Sequence, residues 1–146
     1  MTALKRHLFP SLVDSRASAG LLVLRLFAGL ALMNHGFKKI QDPFHWMDGS
    51  ASPAPAVFQM LAAVAEFFGG LGLAVGALTV VAGFGVLCTM LVAINTHVGK
   101  GDPFGKWEMA GLFGCIAFVL MAAGAGRFSI DALLALRFGP GPSPGK

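Results

Sequence analysis

The chain has 146 residues, of which 55% are hydrophobic and 12% charged, with a mean hydropathy of +0.73. A water-soluble domain of this size needs more polar surface, so a soluble fold is excluded and lipid becomes the expected solvent. The net charge of +4 does not point to nucleic acid, because the basic residues sit at the ends of apolar runs and Tyr is absent, whereas a nucleic-acid face gathers them beside aromatics.

Residues 1–18, MTALKRHLFPSLVDSRAS, are charged as far as Arg16, and the apolar run behind them contains Arg25 without a small-x-small cleavage pattern. The segment reads as a retained cytoplasmic or interfacial lead-in, not a removed signal. Four apolar runs follow, at 19–38, 56–77, 79–98 and 108–125. Each approaches the roughly 20 residues that cross about 30 Å of hydrocarbon. The spacing therefore predicts an all-α fold, a bundle of four transmembrane helices. The loop KKIQDPFHWMDGSASPAPA joins the first two, with Pro53 and Pro55 just before the next helix. Only a tight turn near Gly76 separates the second and third runs. GKGDPFGKW leads into the fourth, with Trp107 at the interface. Gly124 and Gly126 are placed to stop that helix. Within 127–138, Ser129 is placed to cap a short amphipathic helix on the membrane surface, with Asp131 in its first turn. The tail 139–146, GPGPSPGK, has the composition of a disordered segment.

An even number of spans puts both termini on one side. That side carries Lys5, Arg6, Arg16, Arg127, Arg137 and Lys146, and the other carries Lys38, Lys39, Lys100 and Lys106. The excess favours cytoplasmic termini. Gly29 in the first run and Gly69, Gly70, Gly72 and Gly76 in the second are expected to let helix backbones approach, since small residues bring helices together in lipid. The stretch GGLGLAVG lies within a span and not between a strand and a helix, so it is no phosphate loop. Cys88 and Cys115 lie inside apolar runs and read as small packing residues, with a redox pair as the alternative if their two helices touch at matching depth.

An isolated charge within a span costs about 2.5–3.5 kcal/mol on insertion scales. Arg25 and Glu66 are therefore expected to offset each other as an intramembrane charged pair between antiparallel neighbours. Such a pair fixes helix register or forms a proton or ligand site. Asn34 and His35 end the first run, Asn95 and His97 the third, and Glu108 opens the fourth. All five fall on one side and are expected to form a polar cluster at the outer mouth, with His45 of the first loop able to join them. Imidazoles there suit proton handling or a hydrogen bond to a ligand. No HxxxH, CxxC or HExxH occurs, so no metal is expected. No spacing identifies a catalytic residue.

The pieces LRLFAGLALMNHGFKKI, AEFFGGLGLAVGALT, MLVAINTHVGKG, WEM and GAGRFSIDALL occur in this order over about residues 20–135. In order and spacing they resemble the DoxX family of small four-helix membrane proteins. Val80 departs from the pattern, since many relatives carry a basic residue just after the short turn. The resemblance implies an integral protein of the bacterial inner membrane. Archaeal relatives are subunits of a thiosulfate:quinone oxidoreductase, and a mycobacterial relative assembles with redox enzymes. The expected function is a subunit or partner of a membrane redox system, with quinone as the candidate ligand. No flavin, haem or iron–sulfur motif is visible, so a partner would supply the electrons. The alternatives are a non-enzymatic membrane scaffold or assembly factor and a small homo-oligomeric transporter.

Overall fold

The computed structural model of the chain describes residues 14–50 and 53–138. The expectations for residues 1–13 and for the tail 139–146 lie outside the described residues. Among those described, every regular element is helical.

Helix α1 runs Ser15–Gln41, beyond its apolar run at both ends. Asp14 Oδ1 accepts the Ser15 N–H at 2.7 Å at its start, and Lys38 and Lys39 complement the dipole in its last turn. Helix α2 runs Ala56–Val75, α3 Thr79–Gly99, α4 Glu108–Ala123 and α5 Ile130–Phe138. Helices α1, α2 and α3 are long and apolar enough to cross a membrane. Helix α4 is apolar but has 16 residues, about 24 Å at 1.5 Å per residue.

The tight turn between α2 and α3 is unusual. Gly76 closes α2 in the left-handed region, at φ 67°. Leu78, with a side chain, is also left-handed at φ 49°, which costs about 1–2 kcal/mol. Asp131 holds it there. Its two carboxylate oxygens accept the N–H groups of Leu78 and Thr79 at 2.8 and 2.9 Å, and its own N–H donates to Gly76 O at 2.8 Å. Asp131 thus caps the start of α3 from the first turn of α5.

Helix α1 lies along α2 and α3 along α4, while α2 also packs on α3 and a thinner α1–α4 contact closes the group. Ala28, Leu32, Leu73, Val86, Met90, Phe113, Ala117 and Leu120 meet at the centre. The outer faces are apolar as well: Val23, Phe27, Leu30, Phe84, Leu112 and Phe118 are exposed. Such a continuous surface suits lipid and not water.

Backbone contact sets the α1–α2 register. A Cβ on Gly29 would stand 2.5 Å from Gly70 O, and one on Gly36 would stand 2.6 Å from the Phe67 nitrogen. Gly36 is therefore level with Glu66. Arg25 is level with the turn, where a Cβ on Gly76 would overlap its guanidinium. Gly69 and Gly72 face α3 instead, near Val86 and Ala82. Gly83 of α3 makes a similar close approach, to Met121 and Ala117 of α4.

Candidate functional site

Arg25 is fully buried. Its Nη1 donates to Leu73 O and Ala74 O, at 3.4 Å each, and Nη2 donates to Phe128 O at 2.6 Å. Two of these carbonyls end α2, where the helix dipole is negative, so a cation is stabilised there. Asp131 adds a negative charge that acts on Arg25. Around it, Arg127 donates its backbone N–H to Ser18 Oγ at 3.2 Å and its guanidinium to Ser15 Oγ at 3.4 Å. Ser129 Oγ donates to Gly126 O and accepts the Ala132 N–H, capping α5. The start of α1, the α2–α3 turn and the segment after α4 are tied into one hydrogen-bonded knot.

The expected pairing of Arg25 with Glu66 is not formed. The register places Glu66 beside Gly36, about 16 Å along the helix from Arg25 at 1.5 Å per residue. Counting from the ends of the apolar runs brings the two closer than the glycine contacts allow. Glu66 Oε1 instead accepts a hydrogen bond from Lys39 Nζ at 2.6 Å, with side-chain exposures of 7% for Glu66 and 25% for Lys39. Glu66 Oε2 is buried and has no partner among the described residues.

Glu66 belongs to a π-helical turn, Ala65–Gly69. Such turns are rare and occur often at functional sites. Lys39 Nζ also stands 4.5 Å from the centroid of the Trp46 ring, a cation–π distance. The Trp46 indole N–H donates to Gln59 O at 3.0 Å. The Gln59 side chain accepts the Met47 N–H at 3.0 Å and donates to Ala54 O at 2.7 Å. Glu66, Lys39, Trp46 and Gln59 therefore form one polar site at the end of α1–α2 opposite the Arg25 knot.

The five residues expected at the outer mouth are not joined to one another by any hydrogen bond or ion pair among the described residues. Asn34, His35, Asn95 and Glu108 are exposed. His35 meets the Phe113 ring edge-on, with centroids 6.0 Å apart. His97 Nδ1 is 2.7 Å from Asp102 Oδ2, and His45 Nδ1 is 3.1 Å from Asp42 Oδ1. His45 is thus engaged by an aspartate of its own loop and His97 by one in the loop that follows α3. Cys88 and Cys115 are free and exposed.

A family model described as DoxX matches residues 20–99, more than half of the chain. The chain belongs to the DoxX family. No curated protein and no solved structure matches it. With three helices long and apolar enough to span, this DoxX chain is a membrane protein. The matched segment contains Arg25, Lys39, Trp46, Gln59 and Glu66, whereas α4, Phe128 and Asp131 lie beyond it.

In this DoxX protein the polar site offers a cation, a carboxylate oxygen without a donor and an aromatic face, within an otherwise apolar bundle. Lys39, Trp46 and Gln59 are its unforeseen members. Lys39 continues the α1 face of Arg25, Gly29, Leu32 and Gly36. Gln59 continues the α2 face of Glu66 through Ala63. Helical spacing is the signal that points to both. Trp46 lies in a loop and carries no such signal.

Proposed function

We propose that this protein crosses the membrane four times and serves as a subunit or partner of a membrane redox system, holding a quinone at Lys39–Glu66. The buried Glu66 Oε2 without a donor is the observation that carries the reading. A quinol hydroxyl would supply that donor. Lys39 Nζ, the Glu66 partner, would donate to a quinone carbonyl, and the Trp46 ring lies close enough to stack on the head group. Oxidation of the quinol releases two electrons and two protons: Glu66 takes one hydroxyl proton, the second leaves the other hydroxyl to water, and both electrons pass to a redox partner, with the steps reversed for reduction.

The four crossings are supported by the Arg25 knot. It brings the segment after α4 back to the starting end of α1, as an even number of traversals requires. The basic residues at that end, Arg16, Arg127 and Arg137, favour a cytoplasmic position in a bacterial inner membrane. The exposed apolar side chains of α5, among them Leu133 and Leu136, suit the membrane surface.

The test is titration of a reduced menaquinone or ubiquinone analogue, a quinol carrying the O–H that Glu66 Oε2 would accept, against the purified chain. Saturable binding is expected to wild type, and about tenfold weaker binding to Glu66→Gln, the loss of one good hydrogen bond. His97→Ala is expected to bind as wild type does. Absence of saturable binding to wild type would sink the quinone reading. Loss with His97→Ala but not with Glu66→Gln would return the ligand to the outer-mouth cluster of Asn34, His35, Asn95, His97 and Glu108. The scaffold alternative draws support from the hydrogen-bonded knot and the glycine contacts. It gains if Glu66→Gln binds as wild type does but fails to accumulate in the membrane.

A further inference from the structure

The Lys39–Glu66 pair is covered on its loop side by a chain of contacts that starts on Gln59. This glutamine is only 3% exposed and stands on the Glu66 face of α2. Both ends of its amide are satisfied by the loop, at Met47 and Ala54, and its backbone carbonyl holds the Trp46 indole. A buried amide bonded at both ends fixes the loop against the helix, because leaving either end unpaired inside the protein is unfavourable. The result is an aromatic ring set over Lys39 Nζ.

The contacts differ in strength. Lys39 to Glu66 is a short charge-assisted hydrogen bond at 2.6 Å. Trp46 is held by one neutral hydrogen bond and by a cation–π contact to a lysine that is still partly exposed. The ring is therefore the more weakly held layer.

We propose that Trp46 is a cap over the Lys39–Glu66 pair and that Gln59 is the positioning residue that holds it closed. When Trp46 leaves Lys39, the pair is open from the loop side to a ligand carrying an O–H or N–H donor for Glu66 Oε2. The ligand part rests on the proposed reading of Lys39–Glu66 as a binding site. The cap is tested without any ligand.

The experiment uses the full chain in vesicles or mild detergent, with Trp107→Phe so that Trp46 is the sole tryptophan. Acrylamide quenching reads the exposure of Trp46. A water-soluble amine reagent reads Lys39, with Lys100 as internal reference, by peptide mass spectrometry. Gln59→Met keeps the length and removes both side-chain hydrogen bonds. It is expected to raise the Lys39/Lys100 labelling ratio about tenfold, and Trp46 quenching with it. Trp46→Ala should raise the ratio at least as far. Trp46→Phe keeps an aromatic face and should stay within about threefold of wild type.

A purely structural Gln59 would lower the unfolding midpoint and leave the labelling ratio of folded protein unchanged. That result, or an unchanged ratio in Trp46→Ala, overturns the cap. Quinone-analogue binding on the same samples separates the two ideas. An unchanged ratio with binding lost in Glu66→Gln removes the cap and keeps the proposed function. A raised ratio without saturable binding to wild type keeps the cap and removes the quinone.

Discussion

The two ends of the α1–α2 pair treat a buried charge in opposite ways. At one end Arg25 spreads its charge over three carbonyls from two separate segments, and Gly76 makes room for it by lacking a Cβ. At the other end Glu66 has one cation, one oxygen without a donor, and a widened helical turn beneath an aromatic ring. Carbonyls of a helix end and a loop cannot leave, so the arginine locks chain to chain. A lysine on a long side chain can leave, so the carboxylate keeps freedom to meet something else. One charge is tied into the backbone and the other is held by a single side chain.

The strongest way to break this contrast is Arg25→Ala. It removes the donors to Leu73, Ala74 and Phe128 and leaves a cavity where the guanidinium was. A loss of about 3–4 kcal/mol is expected from orphaned carbonyls and lost packing. Unfolding by SDS in mixed micelles, followed by circular dichroism, measures it. A loss no larger than that of Glu66→Gln would mean that the knot does not organise the fold. Gly76→Ala attacks the same knot without touching its charge. The left-handed φ of 67° and the overlap with Arg25 and Ser129 together should cost about 2 kcal/mol. An unchanged midpoint would show that the turn can relax and that Arg25 does not depend on it.

Next in size is Asp131→Ala. It uncaps Leu78 and Thr79 and removes the carboxylate that restrains Leu78. A loss of about 1–2 kcal/mol follows from the missing cap. The same denaturation series reads it. Asp131→Asn, which retains one acceptor, should recover part of the loss.

Hydropathy makes the helices legible, because lipid demands long apolar runs and turns demand glycine and proline. It also makes Arg25 and Glu66 conspicuous, as charges inside those runs. Their partners are harder to read. The partner of Arg25 is a set of backbone carbonyls, and a carbonyl has no letter in the sequence. The partner of Glu66 depends on register, which is decided where Gly29 meets Gly70 and Gly36 meets the Glu66–Phe67 backbone. A shift of about three helical turns, roughly 16 Å, would be needed there to exchange one cation for the other. The π turn at Ala65–Gly69 alters which side chains share a face of α2, and nothing in AEFFG announces it. The capping of α3 by Asp131 crosses from one helix to another, so local spacing assigns that aspartate only to its own first turn.

The smallest expected stability change is also the most informative. Glu66→Gln preserves the shape of the side chain and an oxygen that still accepts from Lys39 Nζ. It exchanges a charged pair for a neutral acceptor and gives the bare position an N–H. Breaking a buried charge interaction destabilises, whereas removing a carboxylate from an apolar setting stabilises. The two effects oppose each other, so a net change under about 1 kcal/mol is expected in the same SDS titration. Binding should respond differently, since the amide cannot take a proton from a ligand hydroxyl or accept its hydrogen bond at that atom. A variant that folds as wild type does and loses the quinone analogue would place the working chemistry at the open end of the helix pair. A variant that loses several kcal/mol would make Glu66 a second Arg25, a charge kept for register, and the contrast between the two ends would collapse.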